Sequence, residues 1–572
     1  MAASGALSQL QDLPEALIFE ICEHLDIFSL VSLSEVDRFF YKLANERPSF
    51  WIYTLTHSGL LLPLYSFRSL PSFSARELYI AAHRAVLTER NLSSQNPKLL
   101  SYRYIPWPYD PAPGVSLAAG AWEMPEEAVR MHLSHYNGEW MFTVSSNNIL
   151  RILHLRSGKV GLMYDQDRYE GGMDDVSRVS WAVEFRETDH AYMVMNCYLQ
   201  GETGPEPSVR LLNVRFFPET ALATVETIST YSTPIMTSHL DLAGGYIVAT
   251  IPRTDNEYLG DVHMIRMRDM KPMVLPPLYP ALRIAAFEEY FLSTAISPTN
   301  QVYVQVVGYP HYVQGKEESE PLFSLRSYHI PYRGPIFDRG TPFGCQTCHF
   351  YTGQQYSPIK FWIRPGRSGS WQVFTLNLDV KGLRSMASRV ATGRAGQEET
   401  LTKTYWIMQE DSRILEEKGL HHWCIPAMSG RRYLWWRNVL NTLPSSTPSP
   451  EVATNGEIEA YGEHEDTPNE ETEVEIETFQ LFTAVTDHLA TPNEVYAQYK
   501  SQNYEVDLTT VESGDEDSAG TRQLRSARKL EIPRGLSCRT SSIYMFLMEE
   551  WSGTVLVQMY SGDLWVLRYG KR

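Results

Sequence analysis

A chain of 572 residues is long enough for about two to four domains of ~100–200 residues each, and 43% hydrophobic with 12% aromatic residues exclude whole-chain disorder. The net charge of −18 belongs to residues 451–517, which hold 19 Asp or Glu against Lys500 alone; the remainder is neutral, without a basic stripe to attract phosphate, so nucleic acid is not expected as a partner. No apolar run approaches the ~20 residues of a membrane helix and Met1-Ala2-Ala3-Ser4-Gly5 lacks the pattern of a signal peptide, so the expectation is a soluble protein of the cytoplasm or nucleus, without a membrane partner.

The first predicted elements lie in residues 8–56. Pro14 stands where a first-turn proline is tolerated, and Leu17, Ile18, Ile21 and Leu25 follow at helical spacing. Asp26 interrupts; Ile27, Phe28, Leu30 and Leu33 form a second short apolar segment, and Val36, Phe39, Phe40 and Leu43 a third, which predicts three short helices. Ser74-Ala75-Arg76-Glu77 is a capping box that opens a helix to about residue 90, because serine can accept from a free amide while glutamate reaches back. The proline-dense stretch Ile105-Pro106-Trp107-Pro108-Tyr109-Asp110-Pro111-Ala112-Pro113 suits neither helix nor central strand and reads as a linker or an ordered crossing segment, so 57–115 is expected to be a helical and proline-rich linker.

From about 138 to 440 the period becomes that of strands, with 13 runs such as 140–145, 149–155, 192–199, 246–251 and 302–307, separated by turn signals including Arg156-Ser157-Gly158-Lys159 and Gly244-Gly245. Residues 443–530 combine low hydrophobicity with dense like charge, the composition of a disordered insertion. Three strands then follow within 531–572, at 543–549, 554–560 and 564–569, and complete the β domain of 116–442. The chain therefore reads as an α+β multidomain protein: a three-helix N-terminal unit, then a mostly antiparallel β domain of about six or seven blades, a β-propeller, with a β-sandwich as the alternative.

The N-terminal residues Leu10, Leu13, Pro14, Leu17, Ile18, Ile21, Leu25, Leu30, Leu33, Val36, Arg38 and Trp51 together resemble the F-box: leucine, two residues, leucine-proline, an apolar first helix, paired leucines, valine-x-arginine and a late tryptophan. With the propeller-like remainder the layout is similar to that of fungal F-box proteins carrying a WD-like propeller. The resemblance implies a non-catalytic substrate receptor of an SCF-type cullin-RING ubiquitin ligase, with those twelve residues meeting a Skp-family linker protein, a cullin as scaffold, and the β domain holding the protein to be modified. Physical reading agrees: three short helices bury little core, and Phe28, Leu30, Leu33 and Trp51 present more apolar surface than they can hide from one another.

Other motifs are weaker. Cys345-Gln346-Thr347-Cys348-His349 matches the c-type haem attachment pattern, and Cys345 with Cys348 has the spacing of half a zinc site that His421, His422 and Cys424 could complete; neither metal nor cofactor is expected. No nucleophile elbow, phosphate-binding loop or dinucleotide fingerprint occurs, so catalysis is not expected, although Asp189, His190, Asp261 and His263 could contribute to a hydrolase site assembled between blades. Trp435-Trp436 and Tyr309-Pro310-His311-Tyr312 are aromatic pairs of the kind that anchor protein partners or fill a core. Thr447-Pro448, Ser449-Pro450, Thr467-Pro468 and Thr491-Pro492 are candidate phosphorylation sites. A scaffold acting outside the ligase is the main rival to the receptor.

Overall fold

The computed structural model describes residues 10–57, 70–107, 109–115, 139–144, 149–165, 180–187, 189–201, 204–235, 237, 239–253, 256–274, 281–286, 290–296, 302–308, 323–329, 343–347, 356–363, 372–379, 406–411, 424–426, 432–443, 474–485, 528–537, 543–550 and 552–570. Four short helices open the chain: α1 (Glu15–Glu23), α2 (Ile27–Val36), α3 (Arg38–Glu46) and α4 (Ser49–His57). The boundaries follow from side-chain chemistry. Asp26 accepts from the Ser29 amide at 2.6 Å and Asp37 from the Phe40 amide at 2.9 Å, so each aspartate starts a helix by satisfying one of its free donors. Pro48 follows an extended Arg47 and separates α3 from α4, which adds a fourth helix to the three expected.

α5 (Ala75–Leu92) carries the capping box read from the sequence, with Ser74 Oγ accepting from the Glu77 amide and Glu77 accepting from the Ser74 amide at 2.8 Å. It is not a linker helix. Leu78, Ala81, Ala82, Ala85 and Val86 recur at 3–4 spacing and complete one apolar core with Ile18, Leu30, Phe40, Phe50 and Trp51. The sequence expectation that Phe28, Leu30, Leu33 and Trp51 exceed what the unit can hide is corrected here, because the expectation omitted α5: Leu30 and Trp51 are fully buried and Phe28 and Leu33 pack half-buried against the same core.

The remainder is built from antiparallel strands. β1 (Ser101–Ile105) stands first, within the segment expected to be a linker. β2 (Trp140–Val144), β3 (Ile149–His154) and β4 (Lys159–Asp165) form one sheet, and β5 (Trp181–Glu187), β6 (His190–Gly201), β7 (Gly204–Phe217) and β8 (Leu222–Ser232) the next. β9 (His239–Ala243), β10 (Tyr246–Arg253), β11 (Asn256–Arg266) and β12 (Lys271–Val274) share a sheet with β13 (Ala281–Ala286), β14 (Tyr290–Ile296), β15 (Val302–Gly308) and β16 (Phe323–His329), the two halves joined through Gly260 opposite Ala281. β17 (Phe343–Thr347), β18 (Tyr356–Ile363), β19 (Gln372–Asp379) and β20 (Trp406–Asp411) make another four-stranded sheet. β21 (Cys424–Pro426), β22 (Arg432–Leu443), β23 (Val474–Val485) and β24 (Arg528–Leu530) make the sheet after it. The short α6 (Arg534–Ser537) leads to β25 (Ile543–Glu549), β26 (Thr554–Met559) and β27 (Leu564–Arg568).

The C-terminal strands are completed by the first strand of the chain, in the order β1-β27-β26-β25, with Tyr102 opposite Leu567 and Tyr104 opposite Trp565. Successive sheets pack face to face in chain order: β1 and β25–β27 on β2–β4 through Ile105, Val566, Leu153 and Val160; β2–β3 on β5–β8 through Trp140, Phe142, Met193 and Val214; and β5–β7 on β9–β11 through Val194, Leu211, Leu242 and Ile247. β22–β24 pack on β25–β27 through Leu434, Leu481, Val555 and Leu567. Up-and-down antiparallel sheets, those of β25–β27, β2–β4, β5–β8 and β9–β11 stacked in order, with the first and last described strands sharing one sheet, are a succession of the kind expected of a propeller.

Two boundaries differ from expectation. Residues 443–530 are not wholly an irregular insertion, since β23 lies inside them and pairs with β22 from Leu443 opposite Val474 to Arg432 opposite Val485. The cause is local: Thr478-Phe479-Gln480-Leu481-Phe482-Thr483-Ala484-Val485 carries no charge, and the acidic average of its surroundings conceals it. The other is β1, which lies inside the expected linker, whereas the proline-rich stretch after it is the ordered crossing segment, one of its two readings, with Tyr109 and Ala112 buried and Tyr109 Oη donating to the Gly562 carbonyl at 2.7 Å. The Gly244-Gly245 turn does join β9 to β10, and both glycines have positive φ, 62° and 83°, as a two-residue hairpin loop requires.

Candidate docking face of the helical unit

α1 has two unlike faces. Ile18 and Cys22 point into the core, where burial pushes the Cys22 thiol up to about 11 and keeps it in the protonated, unreactive form. Leu17 and Ile21 lie away from that core, preceded by Leu10 in a short 3-10 turn and by Leu13 and Pro14 ahead of the helix: Leu10 is 38% and Leu17 45% exposed, Pro14 is exposed, and Leu13 and Ile21 are half-buried. The helix is held in place from behind. Thr54 Oγ1 on α4 donates to the Cys22 carbonyl at 3.0 Å, and Arg47 pairs with Glu15 at 2.8 Å. A second exposed apolar site lies at the junction of α2 and α3, where Val36 is 69% exposed beside exposed Arg38 and Phe39.

The twelve residues of the motif thus separate into three groups. Leu10, Pro14, Leu17, Val36 and Arg38 are accessible; Leu13, Ile21, Leu25 and Leu33 are half-buried. Ile18, Leu30 and Trp51 are interior and correct the expectation that all twelve meet a partner. Trp51 serves the fold: its ring packs edge-on against Phe50 and its Nε1–H donates to the Ala44 carbonyl at 2.7 Å, tying α4 to α3.

The helical unit is joined to the sheets through the C-terminal end of α5. Arg432 on β22, 1% exposed, donates through Nη2 to Glu89 Oε1 at 2.7 Å and to Ser93 Oγ at 3.0 Å. Asn91 spends its side chain on backbone, donating to the Lys98 carbonyl at 2.8 Å and the Tyr569 carbonyl at 2.7 Å while accepting from the Lys98 amide at 2.9 Å. Thr88 sits against Gly553 and Gly570, where a Cβ on Gly570 would stand 2.6 Å from Thr88 Oγ1. Nothing in the sequence marks Arg432 or Asn91 for this role; the junction joins residues about 340 and 480 positions apart, beyond any local pattern.

Other expected sites separate. Cys345 lies on β17 and Cys424 on β21, in different sheets, while Cys348 and His421 lie outside the described residues, as do the four Ser/Thr-Pro pairs and residues 309–312. No group of three His, Cys, Asp or Glu that could hold a metal occurs among the described residues. Asp189 and His190 stand at the start of β6 and Asp261 with His263 on β11, in different sheets, and the His190 ring bonds Asn213 instead. Trp435 and Trp436 belong to β22, opposite Phe482 and Leu481. No helix among the described residues is long and apolar enough to cross a membrane.

Carboxylates accept backbone amides from other strands and turns. Glu184 on β5 accepts from the Gly244 amide of the β9–β10 turn and pairs with Arg186 at 2.8 Å; Asp241 on β9 accepts from the Ala286 amide at the end of β13 at 2.7 Å. Burial pushes Glu184 up to about 7 and Asp241 up to about 6. Asp563 repeats the device at the last sheet, accepting from the Trp107 amide at 2.9 Å.

No family model matches the chain, and no curated protein does. Among solved structures it is similar to the WD40 domain of SCAP from fission yeast, at 10% identity and TM-score 0.38 over 78% of this chain and 86% of that one. It is also similar to the β-propeller domain of Cps50 (Swd1) from Myceliophthora thermophila, at 7% identity and TM-score 0.37 over 77% and 96%. A complex of the fission yeast SREBP–SCAP binding domains gives 11% identity and TM-score 0.32 over 54% and 77%.

Proposed function

We propose that this chain is a substrate receptor of an SCF-type cullin-RING ubiquitin ligase. Its helical unit docks on a Skp-family linker protein, which connects it to the cullin, and its β domain, a propeller closed by β1, holds the target. One observation carries the reading: the helical unit has a complete core of its own, yet the edge of α1 that bears the Leu-Pro pair leaves Leu10, Pro14 and Leu17 in solvent. Apolar side chains that the fold does not need inside, on a helix fixed from behind by Thr54 and Arg47, suit a helical partner groove. The contribution to rate is proximity, because a target and the ubiquitin-carrying subunit joined in one complex meet at high effective concentration. The receptor itself carries no catalytic residue in this account and works in the cytoplasm or nucleus.

The test is copurification with linker and cullin. Replacing Leu13 and Pro14 together by alanine should abolish linker capture while the β domain stays folded. Undiminished capture by the double variant would refute the receptor reading, and capture of linker without cullin would favour a scaffold outside the ligase.

A further inference from the structure

α5 leaves one face exposed along its length. Arg76, Ile80, Arg84 and Leu87 fall within a sector of about 80° of the helix, opposite the buried Leu78, Ala82 and Ala85. Ile80 and Leu87 are each 38% exposed, and neither arginine side chain makes a hydrogen bond or ion pair among the described residues. The acids of α5 are engaged elsewhere, Glu77 with the Ser74 amide and Glu89 with Arg432, so the stripe is apolar and basic. α1 has the opposite character. It carries Glu15, Glu20 and Glu23 without a lysine or arginine; Glu15 pairs with Arg47, while Glu20 and Glu23 are exposed and make no side-chain bond among the described residues.

We infer that the α5 stripe of one copy takes the α1 edge of a second copy, helix against helix and antiparallel. The spacings agree. Glu20 lies about 4.5 Å along its helix from Leu17, and Arg76 about 6 Å from Ile80, so Leu17 covers Ile80 while Glu20 meets Arg76. Leu10 precedes Leu17 by seven residues and Leu87 follows Ile80 by seven, which directs the second exposed apolar residue of each copy toward that of the other. Opposite charge selects this occupant, because a second α5 stripe in the same place would set arginine against arginine. Both surfaces point outward from one shared core, so they meet only between copies. The α1 edge is also the proposed linker surface, so a linker protein and a second copy exclude each other; this consequence alone rests on the receptor reading.

Sedimentation velocity of the full-length chain over a concentration series, without linker protein, tests the pairing. The wild type should gain mass with concentration and pass beyond the dimer, because a contact between unlike surfaces leaves one of each free on every assembly. Arg76→Glu and Glu20→Arg, each alone, should weaken association roughly tenfold, and the double variant, which restores opposite charges across the contact, should recover it. A chain that stays monomeric, association untouched by either variant, or single defects that the double variant does not repair would each overturn the inference. Association that appears only on deletion of residues 486–527 would also overturn it and make the chain's own acidic segment the occupant. Excess Skp-family linker should then dissolve the wild-type assemblies, and assemblies that bind linker yet stay intact would remove α1 as the shared edge. A chain that shows the charge-swap pattern but captures no linker would refute the receptor reading and leave the pairing standing.

Discussion

The helical unit and the β domain are stabilised on different length scales. The helices are defined by neighbours in sequence, an aspartate three residues before an amide or a proline between two turns, and share one core within residues 18–86. The sheet of β1 and β25–β27 and the junction of the sheets with the helices depend on partners hundreds of residues away: β1 pairs with β27, and Arg432 reaches Glu89. Local instructions suffice for the helical unit, whereas the sheet of β1 and β25–β27 forms only when two distant parts of the chain meet.

Breaking the long-range end should have the largest effect. Gly553 has φ +61°, and a Cβ there would stand 2.5 Å from the Gly570 nitrogen and 2.8 Å from Thr88 Cγ2. Gly553→Val should cost on the order of 5 kcal/mol, combining left-handed strain with a backbone clash, and near-UV circular dichroism should lose its cooperative transition. Within the helices, Trp51→Ala removes a fully buried ring and its bond to Ala44, and should cost about 3–5 kcal/mol in urea unfolding followed by helical signal. At the junction, Arg432→Ala leaves Glu89 without its buried cation and should cost about 3 kcal/mol, with a double Arg432→Met/Glu89→Leu variant recovering most of it.

What the sequence revealed follows the same division. The capping box at Ser74 and Glu77 and the Gly244-Gly245 hairpin were legible because a few adjacent residues carry each instruction. β1 was not legible: Ser101-Tyr102-Arg103-Tyr104-Ile105 is short and runs into prolines, and its partner lies at the far end of the chain. β23 was hidden by the acidic residues around it, and the burial of Trp51 depends on α5, which lies beyond the motif that contains the tryptophan. The apolar edge at the start of α1 was legible as a pattern, but which of its leucines are exposed required the packing.

The smallest effect concerns the buried carboxylates Glu184 and Asp241. Glu184 and Asp241 are raised from ordinary values of 4.5 and 3.8 to about 7 and about 6, chiefly by burial. The folded state therefore binds these protons more tightly than the unfolded chain, and stability falls as pH rises from the ordinary values through the raised ones. Melting temperature should be about 2–4 °C higher near pH 5.5 than near pH 7.5, and Glu184→Gln should flatten that slope. A slope unchanged by Glu184→Gln would assign the dependence to other groups.

The central claim is that the edge of α1 serves a partner while the core behind it serves the fold. Isothermal calorimetry of a Skp-family linker into wild-type chain and into Leu17→Asp tests it directly, with a thermal melt on each protein. Leu17 is 45% exposed, so its variant should melt within about 1 °C of wild type and show no heat of linker binding, where wild type binds saturably. Saturable binding by Leu17→Asp at the wild-type affinity, or none by a folded wild type, would contradict the account.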